Sequence, residues 1–381
     1  MHLVVSISGH GFGHVAQTAP VLNALYGLLP DLRITVRSPV AERYLESRIR
    51  IPFTHLQSEG DIGMAMTSPL AVDIEKSRAA YRAFHADWAM RVKNEARLLE
   101  TLRADFVLSN VGYLPLAGAA LAGIAHAALC SLNWADIYRH YCILAEQDEI
   151  IAAQIQSCYA NADAFLRATP GMGMEYLPNL IPVAPIAEVC DNRRGELNHR
   201  LKLSGDEKLL LISMGGIAGR LPVENWPRAA GMRYLVQSDW QVEHPDAVVI
   251  ESLPFAFSDL LASSDALICK PGYGSFVEAA CCNVPVLYVG RPDWPESPAL
   301  IAWLKQHGRC REIAHGELLR GDMQSELEQL WHMPAPQTVS ATGINQIGAW
   351  LTEKLLASAD GRPHRAHGHA PTPLLSPGAH P

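Results

Sequence analysis

The chain has no metal-knuckle cysteine pair, no membrane-length apolar run and no basic excess, and each absence removes a class of function. Its eight cysteines include no CxxC or CxxxC spacing, and Cys281 and Cys282 are adjacent. Neither a zinc knuckle nor a disulfide framework is indicated, and reduced thiols are expected. Lys and Arg number 31 against 39 Asp and Glu, a formal net charge of −8 that leaves no footprint for nucleic acid or an anionic membrane. No stretch approaches the roughly 20 apolar residues of a membrane span. The opening run, residues 1–8, is strand-length and lacks a basic flank, so it does not read as a secretory signal, and a cytoplasmic location is expected. No Asp-x-Asp motif occurs, so no metal ligands are predicted.

What is present is enough apolar material for two cores: 381 residues, 49% of them hydrophobic. Strand-like runs alternate with helical ones, which argues for parallel sheets. In the first half, strands are predicted at 3–8, 33–37, 106–109 and 127–131, and helices at 15–29, 73–102 and 115–122. The region 52–67 reads as irregular. A proline cluster (Pro170, Pro178, Pro182, Pro185) marks a boundary within 169–192. In the second half, strands are predicted at 208–213, 234–237, 248–251, 266–269 and 284–289. A last helix at about 344–356 is placed to cross back and brace the first half. The resulting division is an N-terminal unit at 1–168, a linker at 169–192, a C-terminal unit at 193–356 and a His- and Pro-rich disordered tail at 357–381.

Five segments carry candidate chemistry. Residues 270–289 read Lys-Pro-Gly-Tyr-Gly-Ser-Phe-Val-Glu-Ala-Ala-Cys-Cys-Asn-Val-Pro-Val-Leu-Tyr-Val. A glycine turn between two apolar runs aims a helix N-terminus, near Gly274 and Ser275, beyond the sheet edge, where a phosphate fits. Glu278, one helical turn in, is placed to accept hydrogen bonds from two ribose hydroxyls; an ordinary strand-to-helix turn with a solvated glutamate is the plain alternative. The second segment is Ser8-Gly-His-Gly-Phe-Gly-His14, directly after the first strand. Its glycines, Gly13 among them, permit close approach of a ligand, and His14 at the helix start suits a general base. Helix capping or packing is the other reading of that histidine. His10 is placed as a pocket wall.

The remaining three segments are weaker alone. Gly215 and Gly216, within Met214-Gly-Gly-Ile-Ala-Gly219, form a candidate anion nest to which Arg220 adds charge. Glu251-Ser-Leu-Pro-Phe255 is locally a plain loop. In Arg291-Pro-Asp-Trp-Pro-Glu-Ser-Pro-Ala-Leu300, Asp293 and Glu296 are placed to bind sugar hydroxyls, with Trp294 as an apolar wall.

Gly-x-Gly-Ser-x-x-Glu-Ala followed by Val-Pro resembles the nucleotide-sugar site of GT-B glycosyltransferases, especially the peptidoglycan-type UDP-N-acetylglucosamine transferases. Gly-His-Gly-Phe-Gly-His resembles the glycosyltransferase-like N-terminal domain of plant L-arabinokinases and their free-standing bacterial relatives. The resemblance covers about residues 3–310. It implies two Rossmann-like domains with parallel sheets facing across a cleft. It also implies a ribose-binding Glu278, a catalytic His14, a diphosphate over Gly215 and Gly216, and a nucleobase beside Ser252 and Leu253. Asp61, Asp73, Glu95 and Asn133-Trp-Ala-Asp-Ile-Tyr138 match recurring positions, with Asp61 and Glu95 on the acceptor side as the reserve candidates for the base.

Two departures stand out. Where the group usually has an aspartate after its Val-Ile-Ser strand this chain has Ser109-Asn110, and the usual acidic-Gln pair on the sugar loop is Glu296-Ser297, which leaves the donor sugar open. No GHMP-type phosphate loop appears, so arabinokinase activity is not transferred. The expected function is inverting, metal-independent hexosyl or N-acetylhexosaminyl transfer. It runs from a UDP-linked sugar to a hydroxyl acceptor, with no cofactor beyond that co-substrate. No nucleic acid partner is expected, and membrane contact only if the acceptor is lipid-linked. A hydrolysing or epimerising protein of the same fold is the rival, and an NADP-dependent oxidoreductase using Gly9, Gly11, Gly13 and Arg37 a remote one.

Overall fold

The computed structural model describes residues 1–189, 191–216 and 219–359. In the first half, strands β1 (His2–Ile7), β2 (Arg33–Arg37), β3 (Thr54–Leu56), β6 (Phe106–Asn110), β7 (Ala125–Cys130), β8 (Ala164–Ala168) and β9 (Leu180–Val183) form one sheet. A small hairpin, β4 (Met66–Ser68) and β5 (Ala71–Val72), stands apart. The second half contributes β10 (Lys208–Ser213), β11 (Met232–Val236), β12 (Ala247–Val249), β13 (Ala266–Cys269), β14 (Val286–Val289) and β15 (Cys310–Ile313). The sheet orders are β3-β2-β1-β6-β7-β8-β9 and β12-β11-β10-β13-β14-β15, and the pairings within both are parallel. The central strands are near-continuous apolar runs because helices cover both faces; β1 and β7 are buried along their whole length.

Each sheet reverses direction once. The chain runs outward from β1 to β3 and resumes at β6 beside β1; it runs outward from β10 to β12 and resumes at β13 beside β10. A crevice opens at the carboxyl ends of the strands at such switch points, which is where ligands of open α/β sheets bind. The loops after β1 and β6 are therefore neighbours at the edge of one sheet, and those after β10 and β13 at the edge of the other.

Several local elements differ from the sequence reading. The helix expected over 73–102 is two helices, Ile74–Ala86 and Trp88–Leu102, broken at Asp87. The break lets His85 and Trp88 stack 4.9 Å apart against Tyr113. Asp73 caps the first of them, its carboxylate accepting from the Lys76 N–H at 3.0 Å. Strand β9 lies inside the stretch read as linker and forms the edge of the first sheet. Helix Glu146–Ala160 and strands β8 and β15 are elements that the sequence reading did not assign.

The last helix, Gly343–Ala359, follows the second sheet but packs on the first. Ile347, Leu351 and Leu355, one face at i, i+4 and i+8, are fully buried. Trp350 meets Phe106 edge-to-face at 6.0 Å, and the Ala184 N–H donates to Gln346 Oε1 at 2.8 Å. The tail read as disordered lies outside the described residues from 360 onward. Among the described residues, no helix is long and apolar enough to cross a membrane.

Candidate active site

The loops after β1, β10 and β13, with those after β7 and β14, line one cavity of about 810 Å³. The first sheet contributes the turn after β1. His14 sits in the first turn of helix Gly13–Leu28 and is 5% exposed. Its Nδ1 lies 2.8 Å from Asn110 Oδ1, and Asn110 ends β6, paired in register with Ile7 of β1. Adjacent strands at the switch point thus hold the two side chains together. Burial pushes His14 down to about 4, with the Asn110 contact opposing, so the imidazole is neutral at ordinary pH. With Nδ1 engaged, Nε2 is the nitrogen left to meet a substrate. A Cβ on Gly13 would meet nothing within 4 Å, so the space beside His14 is open.

The second sheet contributes a helix N-terminus and a glycine loop. Helix Tyr273–Cys281 begins at the cavity, with Gly274 and Ser275 in its first turn and Gly272 as its cap residue. A Cβ on Gly274 would lie 2.9 Å from Ala16 Cβ, so this glycine lets the opening helices of the two halves touch. Gly215, at φ +79°, turns the loop after β10 over the same space.

Two cations complete the wall, and neither was picked out from the sequence. Lys270 opens the loop after β13, beneath Gly215, and Arg291 follows β14; neither has an ion-pair partner within 4.0 Å among the described residues. Burial pushes Lys270 down to about 8, aided by Arg291. Burial also pulls Arg291 down, to about 10. Its guanidinium lies 3.9 Å from the Trp294 ring centroid, and its buried Nε has no hydrogen-bond partner. A buried Arg291 without an ion pair is costly unless an anion joins it, and the half-buried Lys270 adds a second charge at the same wall.

The other predicted residues divide into those at the cavity and those away from it. Trp294 is a wall: His10 stacks on it at 5.5 Å, and its Nε1 donates to Glu296 Oε2 at 3.2 Å. His10 also lines the cavity, with its pKa held well down by burial and by His14, Arg291 and Lys270. Glu296 lines it too and accepts from Ser131 Oγ at 2.6 Å. Glu278 lies on the cavity wall but is ion-paired with Arg48 of helix Glu42–Arg48, across the cleft. Arg48 Nε also lies 3.4 Å from Glu188. Arg220 lines the cavity and is neutralised by Glu224 at 2.7 Å. The adjacent loop residues 217 and 218 lie outside the described residues.

Four predicted residues are not at the cavity. Asp61 is buried, accepts from Ser8 Oγ at 3.0 Å and Trp134 Nε1 at 2.9 Å, and is raised to about 6 by burial. It fixes Trp134 against both His10 and His14 from behind. Glu95 is bidentate to Arg37, one bond at 2.9 Å, and ties helix Trp88–Leu102 to β2. That pair removes Glu95 as a base. It also removes Arg37 as the phosphate clamp of a dinucleotide site, since the guanidinium is spent on Glu95 and Ser58. Ser252 is exposed and donates to the Val249 carbonyl at 2.6 Å, and the Leu253 N–H is spent on Ile250 at 3.0 Å; of these two, only Leu253 lines the cavity. Asp293 touches the neighbouring half through its backbone carbonyl, which accepts from Tyr141 Oη.

Two parallel Rossmann-like sheets, facing across a ligand cavity at their switch points, define the GT-B fold of glycosyltransferases. Solved structures of that fold superpose over nearly the whole chain. The calicheamicin glycosyltransferase CalG4 matches at a TM-score of 0.56 with 13% identity, covering 96% of each chain. MnaA of S. aureus with UDP matches at 0.58 with 12% identity, covering 93% of this chain and 97% of that one. In sequence, the chain is 25% identical over 334 residues to the L-arabinokinase of Arabidopsis thaliana, across 86% of its own length; it spans 32% of that relative. No family model matches the chain.

Proposed function

We propose that the chain transfers a hexosyl or N-acetylhexosaminyl group, with inversion and without a metal ion, from a UDP-linked donor to a hydroxyl acceptor. One observation carries this reading. A neutral buried histidine from one switch point and a helix N-terminus with two unpaired cations from the other converge on a single cavity. The acceptor hydroxyl passes its proton to His14 Nε2 while its oxygen bonds the anomeric carbon, on the face opposite the diphosphate. The anomeric carbon–oxygen bond breaks with its electron pair leaving on the diphosphate. The N–H groups of the Gly274-Ser275 turn, the Gly215-Gly216 loop, Lys270 and Arg291 stabilise that charge. Fixed cations in a desolvated pocket supply the neutralisation that a divalent ion gives elsewhere, which supports metal independence. Glu278 reaches the ribose from the cavity wall, and Glu296 with Trp294 borders the sugar.

The test is product analysis. The protein is incubated with UDP-, GDP- and dTDP-sugars in EDTA, with and without a panel of hydroxyl acceptors, and the mixtures are resolved by mass spectrometry. Glycosylated acceptor formed in EDTA, with one nucleotide family, is the expected result. Free or epimerised sugar released without acceptor assigns hydrolysis or epimerisation instead. Turnover lost in EDTA and restored by Mg2+ or Mn2+ removes the metal-independent mechanism.

A further inference from the structure

A single line of hydrogen bonds runs from the second half of the molecule to His14. Glu296 Oε1 accepts from Ser131 Oγ at 2.6 Å. Ser131 Oγ accepts from Gln17 Nε2 at 2.7 Å, and Gln17 Oε1 accepts from Asn110 Nδ2 at 3.0 Å. Asn110 Oδ1 then meets His14 Nδ1 at 2.8 Å. All five side chains are nearly inaccessible: Glu296 6%, Ser131 1%, Gln17 1%, Asn110 0% and His14 5% exposed. The first three links, from His14 through Asn110 and Gln17 to Ser131, lie within the first sheet and its helices, whereas Glu296 follows β14 of the second.

The line has one sense. Burial pushes the Glu296 carboxyl up, against the Ser131 and Trp294 hydrogen bonds and the Lys270 and Arg291 charges that favour the carboxylate; Ser131 donates to it and has its lone pairs left for Gln17. Gln17 therefore presents its amide N–H to Ser131 and its oxygen to Asn110. Asn110 in turn presents its N–H to Gln17 and its oxygen to His14. An amide oxygen accepts, so the proton of the neutral imidazole sits on Nδ1 and the lone pair on Nε2, the tautomer that a base facing the cavity requires. Glu296 is itself held, its second oxygen accepting from Trp294 Nε1 at 3.2 Å. With aspartate at position 110 the carboxylate would fix the tautomer directly; with asparagine the amide can point either way, and something further along must choose.

We propose that Glu296 is a positioning residue that fixes the tautomer of His14 through Ser131, Gln17 and Asn110, across the cleft between the two sheets. The inference rests on the reading of His14 as the base, but the tautomer itself is measurable without turnover. Because the last link joins the two halves, the base is set in its working form when they are closed on each other.

The experiment is long-range 1H–15N spectroscopy of histidine-labelled protein at pH 8. The His14 signals are assigned with His14→Gln, and kcat is measured alongside. Wild type is expected to show His14 protonated on Nδ1 alone. Ser131→Ala cuts the line and Glu296→Gln gives its far end a donor, so both should shift His14 towards a mixture or the Nε2–H form. The signals of His85, held by Gln154 and Tyr113 elsewhere in the fold, should stay in place as a check on folding. In serine proteases a wrong tautomer costs up to about 10,000-fold, so a partial loss of bias here should lower kcat by roughly 10- to 1,000-fold. An unchanged Nδ1–H tautomer in either folded variant overturns the proposal. A tautomer that shifts in a protein without transferase activity leaves the positioning intact and removes the transfer reading instead.

Discussion

Replacing His14 with alanine should lower kcat by about 100- to 10,000-fold while leaving nucleotide affinity nearly unchanged, the range expected for loss of a general base. The side chain lines the cavity, and its Nδ1 is taken by Asn110, so its contribution falls on the proton and not on the donor. The sign of its titration supports the same role. Burial disfavours the imidazolium and brings the ring from its ordinary 6.5 down to about 4, so it is neutral and able to accept a proton throughout the neutral range. An NMR titration of the ring should give a midpoint near that value; a midpoint above 6.5 contradicts the burial argument. A near-normal rate for the alanine variant passes the base role to His10, the other histidine at the cavity. Asp61 and Glu95 are not available for it, because Ser8 and Trp134 occupy the first and Arg37 the second.

Glu278→Ala should have two effects at once, and they need separating. The Glu278–Arg48 pair joins the halves with side chains 3% and 5% exposed, and removing one partner of a buried pair leaves an uncompensated charge. The expected loss of stability is roughly 3 kcal/mol, with Glu188, 3.4 Å from Arg48, keeping it towards the lower end of the usual range. Urea and thermal unfolding measure that loss. The second effect is on the nucleotide, since Glu278 lies on the cavity wall where the ribose is proposed to sit. The double variant Arg48→Met, Glu278→Ala removes both charges and should regain most of the stability without regaining nucleotide affinity. If affinity returns with stability, Glu278 is a fastening between the halves and nothing more.

The two glycine loops were legible because their chemistry is local: a glycine turn after an apolar strand declares itself within ten residues, and both open onto the cavity. The central strands were legible as apolar runs for the same reason. What escaped was set by tertiary pairing. Nothing in the neighbourhood of Glu95 reveals that Arg37, 58 positions away, occupies its carboxylate. Arg48 and Glu278 are 230 positions apart, and Ser131 and Glu296 are 165 apart. Lys270 lies inside the most informative segment, but its having no ion pair within 4.0 Å among the described residues is a property of the folded site. Asn110 was noticed as a departure from the usual aspartate, but only the line of amides behind it gives that departure a meaning. Helix Glu146–Ala160 and strands β8 and β15 went unassigned; β15 is a short strand in which only Cys310 and Ile313 are buried.

The most direct test of the central claim is isothermal titration of the purified protein with UDP, GDP, dTDP and their common sugars, in EDTA. Micromolar binding of one nucleotide family, UDP, is expected without a metal ion, and weakened binding when Lys270 is replaced by methionine. No binding of any nucleotide diphosphate would contradict it, leaving the paired switch-point loops as a fold without its donor.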